Sequence, residues 1–147
     1  MALSDERRHA LVSGYIGAAA RDLKAAEMMA ESRDADVAII AAYHIQQCAE
    51  KLAKGLAAAR GYLVTKEHRL EFNIQPLASE ALAAPLAEFV RYDHFATTTR
   101  YPSTSGKLAT GPAHDELTED LEKLRNLLDR TRDELGVPEP PAPMRTR

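Results

Sequence analysis

The 147-residue sequence contains no tryptophan and a single cysteine, Cys48. One thiol closes no intramolecular disulfide, so no disulfide partner is expected, and no Cys-x-x-Cys pair or Cys/His cluster offers structural zinc. There is also no His-x-x-x-His pair, so neither a metal nor another cofactor is expected. No apolar run is long enough to span a bilayer, which leaves no membrane partner. The start, Met1-Ala-Leu-Ser-Asp-Glu6, lacks the basic-then-apolar order of a signal peptide, so the expected location is cytoplasmic. Positive charge is not in excess either. The 19 Lys and Arg stand against 22 Asp and Glu, a net charge of −3, without the basic footprint of a general nucleic-acid binder. β-Branched residues are sparse beside alanine and leucine, which favours packed helices over sheets.

The chain length suits one domain. Ser4-Asp5-Glu6 reads as an N-cap with acidic first-turn residues. Val12, Ile16, Ala19, Leu23, Ala26 and Ala30 then recur at steps of three and four, one face of a helix running to about Ser32. Asp34 or Asp36 starts a second helix, with Val37, Ala41, Ile45, Cys48, Leu52, Leu56 and Ala59 in line and Gly61 as its stop. So short a link predicts an antiparallel pair. Residues 61–76 are less regular, and Glu67-His68-Arg69-Leu70 is expected to begin a short helix before Pro76. From Pro85 a helix is expected to run to Tyr101-Pro102, with Leu86, Phe89, Val90 and Ala96 inward. A loop from Pro102 to Pro112 leads to the last helix, from about Ala113 to Leu135, with Leu117, Leu121, Leu124, Leu128 and Leu135 in line and Gly136 as its stop. The expected fold class is therefore all-α, an up-and-down bundle of four long helices plus one short one over residues 1–136. The proline-rich tail 137–147 is expected to be disordered or extended.

Two polar clusters stand out. On the second helix Tyr43, Gln47, Glu50 and Lys54 share a ridge roughly opposite its apolar stripe, flanked by Gln46. The ridge reads either as a solvated face with a Glu50–Lys54 pair or as a polar interface between subunits. Toward the end of the fourth helix come Arg91-Tyr92-Asp93-His94-Phe95 and Thr97-Thr98-Thr99-Arg100-Tyr101-Pro102. Asp93 falls inward by phase and needs a partner, for which Arg100 is available. The cluster reads either as a structural ion pair or as an anion pocket. In the pocket Arg91, His94 and Arg100 would meet a phosphate while Tyr92 or Tyr101 stacks on a base. The other histidines read as a boundary residue (His44), a turn residue (His68) and surface residues near helix starts (His9, His114).

The run Ala41-Ala42-Tyr43-His44-Ile45-Gln46-Gln47-Cys48-Ala49-Glu50-Lys51-Leu52-Ala53-Lys54-Gly55-Leu56 resembles the signature helix of the HEPN family, with paired Gln, then Ala-Glu-Lys, then Lys. Arg60-Gly61-Tyr62, His68-Arg69-Leu70 and Thr99-Arg100-Tyr101-Pro102 follow in family order, and the likeness covers residues 8 to 132. The resemblance implies an up-and-down bundle that often forms a homodimer. It also implies association with a nucleotidyltransferase-type partner, sometimes as a toxin–antitoxin pair. Many members are metal-independent ribonucleases that use Arg, four to six further residues, then His. That motif is missing here. Arg60 and His68 have seven residues between them, and Arg91 and His94 have two.

The expectation is thus a binding or partner module rather than an enzyme: a homodimer that binds a nucleotide or pairs with a nucleotidyltransferase-like protein. Arg91, His94, Arg100, Tyr101 and Lys54 are the expected ligand residues. Tyr43, Gln46, Gln47, Glu50 and Lys54 are the expected interface residues. The alternative is a degenerate metal-independent ribonuclease built on Arg91 and His94, with a site completed across a dimer. A third reading is a purely structural helical adaptor in which both clusters are ion-pair networks.

Overall fold

The computed structural model describes residues 3–142 together with Arg145 and Thr146. All regular structure among them is helical. α1 (Asp5–Glu31) begins at Ser4, whose side chain accepts the Arg7 N–H at 3.3 Å. α2 (Ala35–Ala59) begins at Asp34, whose carboxylate accepts the Asp36 N–H at 2.9 Å. These caps satisfy N–H groups that a first helical turn leaves without partners. α6 (His114–Leu135) ends at Gly136, in the left-handed region at φ 65°. Val137 folds back there, donating to Arg132 O at 3.0 Å. Val137 is buried, so the core closes one residue later than the expected boundary at 136. Residues 138–142 are exposed with no regular structure. Pro143, Met144 and Arg147, part of the expected tail, lie outside the described residues.

Between α2 and α6 come three short helices, α3 (Leu70–Asn73), α4 (Ala83–Ala87) and α5 (Phe95–Thr98), with 3-10 turns at Gln75–Leu77 and Val90–Tyr92. The all-helical bundle agrees with the sequence reading, but the expected long helix from Pro85 to Tyr101 is broken into α4, a 3-10 turn and α5. The side-chain spacing gives the reason. Leu86, Phe89, Tyr92 and Phe95 are all buried and recur at strict steps of three. An α-helix turns 300° in three residues and would carry such a row around its surface, whereas three residues per turn keep it in line. The backbone follows suit, with Phe89 N–H bonded to Leu86 O at 3.0 Å and Tyr92 N–H to Phe89 O at 2.9 Å. The short helix expected from Glu67 starts at Leu70 instead.

α2 is the central element. From Ala41 to Ala58 all but Tyr43, His44, Gln47 and Lys51 are buried. α1 packs along it closely enough that a Cβ added at Gly55 would meet Ile16 Cδ1 at 3.1 Å. Arg125 on α6 pairs with Glu27 on α1. Arg60, at the end of α2, bonds both Glu80 and Glu134 at 2.8 Å, which marks the foot of the bundle. At the opposite end, the head, Thr99 Oγ1 approaches Ile39 O at 3.5 Å. Residues 75–99 therefore climb from foot to head, and the chain path is up, down, up (in short pieces) and down.

Candidate functional site

Most of the polar ridge of α2 is covered, with Tyr43 and Gln47 left part-exposed. Gln46, Glu50 and Lys54 are buried, covered by residues 61–73 and by the climbing segment. Glu50 Oε1 receives Lys54 Nζ at 2.8 Å and lies 3.2 Å from His68 Nδ1. Gln47 Nε2 donates to Glu50 Oε2 at 3.3 Å and to Gln46 Oε1 at 2.7 Å. Gln46 Nε2 in turn donates to His68 O at 2.9 Å and to Asp93 Oδ1 at 3.0 Å. Low local dielectric strengthens each of these bonds and makes an unpaired member costly. Sequence phase placed the ridge correctly, but it could not show that a loop without helical period would fold over it.

Asp93 does not pair with Arg100. Its carboxylate accepts the backbone N–H groups of Leu70 at 2.9 Å and Glu71 at 3.0 Å besides Gln46, and so caps α3 from 23 residues away. Arg69, at the N-cap position, makes no side-chain cap bond, which leaves that role to Asp93.

The expected ligand residues are not brought to one place. Arg91 turns to α6, pairing with Asp120 and, at 3.2 Å, with Glu116. Its bond to Asp120 holds the guanidinium pKa above its ordinary value. Tyr92 also bonds Asp120, and burial pushes its phenol upward. His94 is exposed, with its ring 4.0 Å from that of Phe95. Lys54 is engaged by Glu50. Arg100 turns to α2 and donates to the Tyr43 hydroxyl at 2.8 Å. That bond raises the Arg100 pKa.

At Tyr101, the chain neighbour of Arg100, a groove of about 470 Å³ opens between α5 and the following loop, lined by Thr97, Thr98, Tyr101, Ser103, Lys107 and Thr110 among others, with Arg100 outside its lining. The Tyr101 ring is 67% exposed there. Hydroxyls, an ammonium and an uncovered aromatic ring face the same space. The loop is held against α2 where Gly111 lies on the backbone of Ala38 and Ile39.

Two buried carboxylates escaped the sequence reading. Asp22 on α1 receives His44 Nδ1 at 2.8 Å and pairs with Lys51. Asp120 on α6 anchors Arg91 and Tyr92. Each lies one residue before a stripe leucine, Leu23 or Leu121, and that position was the available signal. Cys48 is fully buried, and burial pushes its thiol upward and keeps it protonated. No group of His, Cys, Asp and Glu suited to a metal occurs among the described residues. Among the described residues no helix is long and apolar enough to cross a membrane.

Comparison with known proteins agrees with this architecture. The HEPN domain family model matches residues 12–134. The crystal structure of an archaeal HEPN homologue superposes with a TM-score of 0.61 at 21% identity, covering 84% of this chain and 97% of that one. At that identity the likeness bears on the fold alone. No curated protein matches the sequence.

Proposed function

The chain belongs to the HEPN domain family, and from that premise we propose that it is a binding module whose ligand is a nucleotide held in the Tyr101 groove, with its phosphate reaching out to Arg100. One observation carries this reading. Arg100 is exposed, its polar partner is the neutral Tyr43 hydroxyl, and among the described residues no carboxylate lies within ion-pair distance of it. A guanidinium left with neutral partners suits a phosphate. Lys107 adds a second cation, the Tyr101 ring can stack on a base, and the groove hydroxyls suit a ribose or phosphate oxygen. Binding is favoured over a degenerate ribonuclease because Arg91 is engaged by Asp120 and Glu116 while His94 lies against Phe95.

The same reading has the module act as a homodimer or beside a nucleotidyltransferase-type partner, as in a toxin–antitoxin pair. Of the ridge expected at such an interface, the part-exposed Tyr43 and Gln47 are available, while Gln46, Glu50 and Lys54 serve within the subunit.

The test is a thermal-shift panel of ATP, GTP, cyclic nucleotides, NAD, short RNA and phosphate, with light scattering for subunit mass. A ligand at one hundred times its Kd stabilises the native state by about 2.7 kcal/mol, a shift of several degrees for a chain of this size. The expected result is a rise with one nucleotide class that is lost in Arg100→Ala and kept in Arg91→Lys. A flat panel sinks the nucleotide reading. A strictly monomeric mass, with and without ligand, sinks the homodimer.

A further inference from the structure

Large apolar side chains are exposed at few places, and the foot of the bundle gathers a disproportionate share. Leu3 is 46% exposed, Leu11 38%, Tyr62 43% and Leu63 86%. With Val64 and Arg8 they line one groove of about 380 Å³ between the start of α1 and the chain leaving α2. An apolar concavity with a single cationic wall is the surface that extended proline-rich segments use, because such segments bring rings and methyls already ordered.

The chain carries such a segment at the same end. Pro138-Glu139-Pro140-Pro141-Ala142 leaves α6 just past Leu135, and these residues are exposed. Leu135 lies in the neighbouring groove, which shares Arg8 with the Leu63 groove. In polyproline II form five residues span about 15 Å, more than one helix diameter of about 10 Å, so the segment reaches across. The charges match: Glu139 is the acid of the segment, and Arg8 is the charged residue in the groove.

We propose that this groove is the docking site of the chain's own proline-rich segment, with Pro140 and Pro141 against Tyr62 and Leu63 and Glu139 beside Arg8. The structure records the undocked arrangement, with segment and groove both open to solvent. Docking would cover the most exposed large side chain of the fold and bring residues 138–142 under control of whatever else binds the foot.

The experiment compares amide NMR spectra of the full chain and a chain ending at Val137. The shorter chain keeps every buried residue described here, since the core closes at Val137. Removal of the segment is expected to shift Leu11, Tyr62, Leu63 and Val64. A synthetic Pro138–Arg147 peptide should then move those amides back toward the full-chain positions. In the full chain, Leu63→Ser should reproduce the released spectrum, and Glu139→Arg should do so until Arg8→Glu restores docking. Shifts confined to Leu135–Val137 overturn the proposal. Shifts at Tyr62–Val64 that grow with protein concentration in both chains also overturn it, since a second copy would then be the occupant.

Discussion

Gln46 and Asp93, 47 residues apart in sequence, meet in a 3.0 Å hydrogen bond that joins the central helix to the climbing segment. Because Asp93 also receives the Leu70 and Glu71 N–H groups, one carboxylate fixes three parts of the chain. The residues that look most like an active-site cluster in the sequence therefore divide their work. Asp93 and Arg91 hold the fold, while Arg100 and Tyr101 remain open to solvent.

Asp93→Ala removes the acceptor from three donors, two of them at a helix start. The expected loss is about 2–4 kcal/mol, from an N-cap contribution of about 1 and the cost of leaving buried donors unmet. Asp93→Asn keeps an acceptor and should lose less than half as much. Urea unfolding measures the loss, and amide exchange at Leu70 and Glu71 should accelerate well before global unfolding. Unchanged exchange at those two amides would refute the capping role.

Glu50→Ala leaves the Lys54 ammonium, 9% exposed, without its counterion. Breaking a buried pair from one side costs about 3–5 kcal/mol. Replacing both residues, as in Glu50→Leu with Lys54→Met, should recover most of that loss, since apolar groups of similar volume need no solvation. A double-mutant cycle in urea checks it. Additive losses would mean that the two residues act independently.

How far these arrangements were legible follows from what sets each one. The stripes of α1, α2 and α6 read directly, because a period of 3.6 over 22 to 27 residues leaves little choice of face. The segment 83–98 misled because Leu86 and Phe89 fit an α-helical face, and only the continuation to Tyr92 and Phe95 shows the step of three. Arg100 and Tyr101 stand out by residue type, whereas Lys107 and Thr110, which line the proposed groove with Tyr101, sit in a loop with no periodic signal. Asp93 falls inward by phase, yet two of its three donors are backbone groups, which carry no side-chain signature.

Tyr92 supplies the pH dependence. Burial first, then the hydrogen bond to Asp120, raise its phenol pKa above the ordinary value of about 10. A raised folded pKa means that the native state holds the proton more tightly than the unfolded chain. The resulting stability is complete below about pH 10 and is lost as pH climbs above it. Tyr92→Phe should cost about 1 kcal/mol at neutral pH through the lost bond and should weaken the alkaline fall in stability. A phenolate absorbance titration, run beside urea melts at pH 8 and 11, tests this. Equal alkaline losses in both proteins would assign the effect elsewhere.

Gly111 ties the groove loop to the bundle through close contact rather than through its dihedral freedom. A Cβ there would fall 2.5 Å from Ile39 N and 2.7 Å from Ala38 C, and backbone atoms cannot swing aside as a side-chain tip can. Gly111→Ala should therefore lift the 102–112 loop off α2 at an overpacking cost of about 1–3 kcal/mol. Because Lys107 and Thr110 move with the loop while Arg100 stays on its Tyr43 bond, ligand affinity should fall more than stability does. Gly106→Ala serves as the contrast. A Cβ there meets nothing within 4 Å, so its cost comes only from a left-handed φ of 79° and should remain within about 1–2 kcal/mol. Calorimetry of both variants, with titration of whichever nucleotide shifts the wild type, separates the two effects. If Gly111→Ala binds as tightly as wild type, the loop side of the groove is not part of the site.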